Sequence, residues 1–141
     1  MPRDYKDLID RVGAVLIDES LCLFEPGGRE GYTDLGVLIE ERESSWSRFA
    51  EVGVELPDQY FREGRRLVAF AAVEANYFFW KVLPGVPADQ WGVVIVDAEL
   101  EDWLEYDMTA TECIYKLLGG QIELEQFEGL FDGPEHAYRP L

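Results

Sequence analysis

The sequence predicts an α+β fold: an antiparallel meander over about residues 67–108, with an N-terminal helix, a long second helix and a C-terminal helix. Two observations carry this. The apolar spacing changes from the helical 3.6 to the strand period of 2 at Arg66 and returns to helical spacing at Thr109. Helices bracket the strands in blocks rather than alternating with them, which separates α+β from α/β.

The first helix is expected from Pro2 to Val12, where Tyr5, Leu8, Ile9 and Val12 follow i, i+3, i+4, i+7. Pro2 and Asp4 suit its first turn, and Gly13 suits the position after its last. Two short apolar runs, Ala14–Ile17 and Leu21–Phe24, flank the polar Asp18-Glu19-Ser20 and read as a hairpin or two edge strands. Pro26 to Gly31 is a turn matching neither a P-loop nor a dinucleotide fingerprint. The second helix is expected from Asp34 to Ala50. Leu35, Leu38, Ile39, Arg42, Trp46 and Phe49 lie on its buried face, and Glu40, Glu41, Glu43 and Ser47 face water. Gly53 to Gly64, interrupted by Pro57, reads as loop with one helical turn.

Leu67–Val73 is continuously apolar, as is Tyr77–Leu83 apart from Lys81, so both are expected to be central strands covered on both faces. Glu74-Ala75-Asn76 between them predicts a tight hairpin, with Asn76 in the left-handed conformation. Val93–Val96 is a third strand. Trp103–Met108 alternates, with Leu104, Tyr106 and Met108 on one face and Trp103, Glu105 and Asp107 on the other. Thr109-Ala110-Thr111-Glu112 is a capping box opening a helix that ends at Gly119-Gly120. Beyond it Leu124, Phe127 and Phe131 keep weak helical spacing before a Pro-containing coil. With no repeat and no linker, residues 1–141 read as one domain, with a core over about 2–119 and a C-terminal extension over 120–141.

The chain has 141 residues, of which 48% are hydrophobic and 13% aromatic, enough to bury one core. No apolar run is long enough for a membrane span, and the N-terminus lacks a secretory h-region, so the expectation is a cytoplasmic protein. Charge is lopsided: 29 acidic against 12 basic side chains, a formal net charge of −17. Residues 1–66 hold 9 basic and 15 acidic groups (net −6), and residues 67–141 hold 3 and 14 (net −11). Such a field repels nucleic acid and anionic membranes and attracts basic partners. Solubility is the plainer use of the same charge.

Cys22 and Cys113 both sit in apolar runs, which predicts free thiols packed as small hydrophobes. With one histidine and no C-x-x-C spacing there is no ligand set for zinc, and no metal or cofactor is expected.

The opening Pro2-x-Asp4-Tyr5-x-x-Leu8-Ile9 helix ending at Gly13, the apolar hairpin, the Trp91 strand and the closing Thr109–Leu118 helix resemble the SUKH superfamily over roughly residues 2–119. That superfamily includes fungal Smi/Knr-like cell-wall regulators and bacterial immunity proteins of polymorphic toxin systems. Where many members end the first helix in Asn-Gly-Gly, this chain has Arg11-Val12-Gly13-Ala14. The resemblance implies a non-enzymatic protein-binding domain, an immunity protein that occludes a cognate toxin such as a basic nuclease. The fungal members imply an alternative, a regulatory scaffold binding an endogenous partner.

The local feature that fits a partner surface is the stretch holding Asp97, Glu99, Glu101, Asp102, Trp103, Glu105 and Asp107. A chain reversal near Glu101-Asp102 would put carboxylates from both arms on one sheet face, an arrangement that costs stability unless a cation meets it. Trp103 would supply an apolar anchor among them. The competing reading is a solvated edge whose charge guards against aggregation. A third and less favoured alternative is a carboxylate-based hydrolase, which needs two acids converging in a cleft, something alternating exposed positions do poorly.

Tyr77-Phe78-Phe79-Trp80 is expected in the core, since base stacking would need neighbouring cations and only Lys81 is near. Arg62, Arg65 and Arg66 form a basic cluster, expected either to pair with surrounding acid or to meet an acidic partner. His136 is expected to be an incidental surface residue.

Overall fold

The computed structural model describes residues 1–25, 35–131, 133 and 135–141. The chain forms α1 (Arg3–Val12), β1 (Val15–Ile17), β2 (Leu21–Leu23), α2 (Leu35–Glu51), α3 (Asp58–Phe61), β3 (Arg66–Val73), β4 (Asn76–Val82), β5 (Gly92–Val96), β6 (Trp103–Tyr106), α4 (Ala110–Leu118) and β7 (Tyr138–Pro140). The α+β class is as the sequence predicts. All strands join one antiparallel sheet in the order β6-β5-β4-β3-β2-β1-β7. The expected Pro26–Gly31 turn lies outside the described residues.

The meander is therefore larger than the sequence suggests. The β1–β2 hairpin continues it, because β2 pairs with β3 through Leu21↔Val73, Cys22↔Ala72 and Leu23↔Ala71. The tail expected to be coil supplies β7, which pairs with β1 through Val15↔Pro140, Leu16↔Arg139 and Ile17↔Tyr138. A strand of three exposed residues carries no burial pattern, so its pairing is invisible to periodicity.

Residues alternating along β4 assign the two faces. Phe79 packs against Trp46 of α2, while Trp80 packs against Tyr5 of α1 and Phe70 of β3. Helices α2 and α3 thus cover one face and α1 and α4 the other. This is why β3 and β5 are buried on both sides and nearly without polar residues. The expected inner face of α2 holds: Leu35, Leu38 and Trp46 are buried, and Ile39, Arg42 and Phe49 half-buried. Among the described residues no helix is long and apolar enough to cross a membrane.

Conserving backbone hydrogen bonds explains several details. Between β3 and β4 the register shifts around Phe70, with Ala69 opposite Phe79 and Ala71 opposite Phe78. The Phe70 carbonyl, out of register with β4, accepts from Phe24 N (3.0 Å) and shares the single Tyr5 hydroxyl proton (2.9 Å) with Phe24 O (2.5 Å). Burial pushes the Tyr5 phenol far above its ordinary pKa, so it remains a donor. Asp4 Oδ2 accepts from Thr111 N at 3.0 Å, and Thr109 Oγ1 accepts from Glu112 N at 3.2 Å, so two side chains cap α4. Gly13 ends α1 at φ 67°, its N–H bonded to Ile9 O.

In the β3–β4 hairpin the left-handed residue is Glu74 (φ 54°), not Asn76. Asn76 opens β4 and donates its side-chain N–H to Val73 O at 3.1 Å, closing the turn from outside it. Strand β6 stops at Tyr106 rather than Met108, because Thr109 already caps the next helix.

Candidate functional site

The expected site occupies the β5–β6 connection and the β6 edge of the sheet. Its loop is built by Asp97. Oδ1 of Asp97 accepts from Glu101 N (2.8 Å) and Asp102 N (2.9 Å), and its carbonyl accepts from Leu100 N (3.1 Å). These bonds hold Leu100 at φ 59°, a conformation that costs a non-glycine residue roughly 1 kcal/mol. Asp97 is thus a positioning residue for the loop rather than a contact surface.

Trp103 begins β6 half-buried, its Nε1–H donating to Leu100 O at 2.9 Å. Its ring stacks on Tyr60 of α3 (5.7 Å, 20°), meets Phe61 edge-on (6.1 Å, 88°) and lies 6.0 Å from Trp46. The indole therefore seals the end of the layer between α2, α3 and the sheet, leaving part of its surface beside the acidic tip. Glu105 is committed internally as well. It accepts from Lys81 Nζ in an ion pair and from the Tyr60 hydroxyl at 3.0 Å. The Lys81 hydrogen bond, against partial desolvation, holds the Glu105 carboxyl below the usual range.

The expected face-to-face repulsion does not arise. Trp103 stands opposite Val96 and Glu105 opposite Val94, because β5 ends before its first carboxylate and the acids of that arm sit in the loop. What remains is a set of exposed carboxylates, Glu99, Glu101, Asp102 and Asp107, none within ion-pair distance of a cation among the described residues.

A second acidic surface escaped the sequence reading. Leu117, Ile122, Leu124, Phe127 and Phe131 floor a groove of about 420 Å³ bordered by Glu123, Glu125 and Glu128. The Leu124–Phe127–Phe131 spacing with interleaved glutamates is the signal that marked it. Here Phe127 and Phe131 are buried, Phe127 stacking on Phe78 at 5.9 Å.

Other expectations resolve locally. Phe78, Phe79 and Trp80 are core residues, and Tyr77 is half-buried. The arginine cluster pairs internally, Arg62 with Asp58 (2.9 Å), Arg65 with Glu63 (4.0 Å) and Arg66 with Glu43 (3.4 Å). Cys22 and Cys113 are free thiols, and burial raises both, to about 11 and about 12.

His136 is not incidental. Its Nδ1 meets Asp18 Oδ2 at 2.5 Å and its Nε2 meets Leu118 O at 2.7 Å, with the two side chains only 11% and 17% exposed. Acceptors at both nitrogens are satisfied together only by the doubly protonated ring. The Asp18 hydrogen bond, against partial desolvation and with help from the Leu118 carbonyl, raises the His136 pKa. Desolvation pushes Asp18 up, but bonds from His136 and Ala137 N outweigh it and hold the carboxyl low. A single histidine among tail residues gave no sign of this, since Asp18 is distant in sequence.

The shifts at Asp18, Glu19 and Glu105 are all downward, the direction of hydrogen-bonded structural carboxylates and the opposite of a general acid's. Among the described residues no three His, Cys, Asp or Glu side chains converge as a metal-ligand group. No family model, no curated protein and no solved structure matches this chain.

Proposed function

We propose that this chain is a non-enzymatic, cytoplasmic protein-binding domain of the immunity type, which captures a basic toxin domain and occludes it. The observation that carries the reading is the β6 edge. Glu99, Glu101, Asp102 and Asp107 are exposed at the two ends of the strand that a half-buried tryptophan opens, without a countercharge among the described residues. Unpaired carboxylates on a chain of net charge −17 accelerate encounter with a cationic surface. The exposed part of Trp103 is already oriented by Tyr60 and Leu100 O, so burying it costs little side-chain entropy. The toxin-directed part of the proposal rests on the SUKH resemblance of residues 2–119.

The test is a capture experiment in lysate of the source cell, with the wild-type chain and the E99Q/E101Q/D102N/D107N variant as baits. The expected result is a basic protein retained by the wild type and lost by the variant. Co-expression of the wild-type chain should then protect cells from that protein's toxicity. Equal capture by both baits would place the interface elsewhere, and capture of a non-toxic partner would refute the immunity assignment while leaving the binding surface standing.

A further inference from the structure

Against an acidic background, the cations of α2 behave differently from the rest. Among the described residues every other Lys and Arg except Arg11 lies within ion-pair distance of a carboxylate. Arg42 and Arg48 do not, and they converge on one oxygen: Arg42 Nη2 donates to Ser45 Oγ at 3.1 Å and Arg48 Nη2 at 3.2 Å. The hydroxyl donates in turn to Glu41 O at 2.9 Å, so its hydrogen and both lone pairs are occupied. Ser45 is buried, 6% exposed, and cannot rearrange freely to release either guanidinium.

Arg42 is further fixed by aromatic faces, its guanidinium carbon 4.6 Å from the centre of Tyr77 and 5.7 Å from that of Trp46. Arg42, Ser45, Arg48 and Tyr77 line an open groove of about 590 Å³ with Ser44 and Val37. Two like charges held together on a neutral oxygen repel each other, and an anion between them would remove that repulsion. Each guanidinium presents a planar fork of donors and uses one N–H on Ser45, which leaves forked donors for an oxyanion.

We propose that Arg42 and Arg48, aligned by Ser45 and Tyr77, form a binding subsite for a single oxyanion group, a phosphate monoester or a carboxylate. Glu40 and Glu41 border the same groove without pairing to either arginine, and the net charge of −17 surrounds it. A polyanion is repelled by that setting, whereas one compact anion reaches the pair. The subsite is separate from the β6-edge carboxylates and stands whether or not those bind a partner.

The test is a titration of the full chain with inorganic phosphate and, separately, with acetate at low ionic strength, followed by amide and arginine side-chain NMR shifts. Saturable shifts centred on Arg42, Ser45, Arg48 and Tyr77, with a Kd in the millimolar range (about −4 kcal/mol at 1 mM), are expected. In R48Q they should weaken about tenfold. Arg48 is exposed, so that variant keeps its fold, checked by unchanged shift dispersion. Saturation by phosphate alone assigns a phosphate monoester, and saturation by acetate extends the site to carboxylates. No saturable shift with either probe, or equal shifts in wild type and R48Q, would overturn the proposal.

Discussion

The two edges of the sheet use their charge in opposite ways. An edge strand offers unpaired N–H and C=O groups to any other strand. At the β7 edge the tail is locked by complementary charge: His136 on Asp18, and Arg139 on Glu19 through two bonds of 3.0 and 2.9 Å. Backbone bonds from Asp18 N to Ala137 O (2.8 Å) and from Leu141 N to Ala14 O (3.0 Å) extend the lock at both ends. At the β6 edge the acids nearest the sheet, Asp97 and Glu105, are likewise satisfied, but the outer ones have no ion-pair partner among the described residues. At the first edge these bonds fix β7 to β1 and leave its own three residues exposed. At the second, the exposed carboxylates are the feature on which the proposed partner binding rests.

The largest effect should come from the β6 end. Trp103→Ala removes a ring shared by Tyr60, Phe61 and Trp46, and because the ring is half-buried the cost should be about 2–3 kcal/mol, below that of a fully buried aromatic. Urea unfolding with an unchanged m-value would check it, and a loss under about 0.5 kcal/mol would show that the ring belongs to the surface alone.

Next in size is Tyr60→Phe, which removes the hydroxyl bonded to Glu105 but leaves Lys81 in place. About 1 kcal/mol is expected by the same assay. The loss should be smaller in a Glu105→Gln background, because that pairing is already weakened, so a double-mutant cycle sharpens the assignment.

The β7 edge should instead respond to pH. The raised His136 pKa contributes stability that is complete below the ordinary histidine value of about 6.5 and is lost as pH rises through the raised folded value. The lowered Asp18 pKa contributes stability present above the ordinary value of about 3.9 and lost as pH falls through the lowered one. The lock is therefore complete from about pH 4 to about pH 6.5. Protection of the Ala137 and Leu141 amides relative to intrinsic exchange should be greatest in that window and fall above it. In His136→Gln the acceleration with rising pH, beyond the intrinsic exchange rate, should vanish. A wild-type profile following intrinsic exchange alone would remove the histidine from the lock.

The smallest effect on stability should come from E99Q/E101Q/D102N/D107N, within about 0.5 kcal/mol of wild type by the same unfolding assay. Its effect should appear in association, as a slower on-rate with a flatter salt dependence. A variant destabilised by more than 1–2 kcal/mol would mean that these carboxylates support the loop as Asp97 does.

Much of the architecture follows from local pattern. Strands β3 and β5 were visible because burial on both faces leaves only apolar residues, and α4 because Thr109 and Glu112 form a capping pair at fixed spacing. The inner face of α2 and the acidic character of residues 97–107 follow from the same periodicities. Strand β7, by contrast, is short and exposed, and its partners Asp18 and Glu19 lie far back along the chain, so no local pattern encodes it. The roles within the acidic stretch are also tertiary. Asp97 and Glu105 resemble Glu99 and Asp107 in composition and spacing, and only the loop closure and the approach of Lys81 and Tyr60 separate the committed carboxylates from the exposed ones. Charge and hydrophobic period are properties of the chain. Which charges are compensated depends on what the fold brings within a few ångströms, because hydrogen bonds and ion pairs act only over that range.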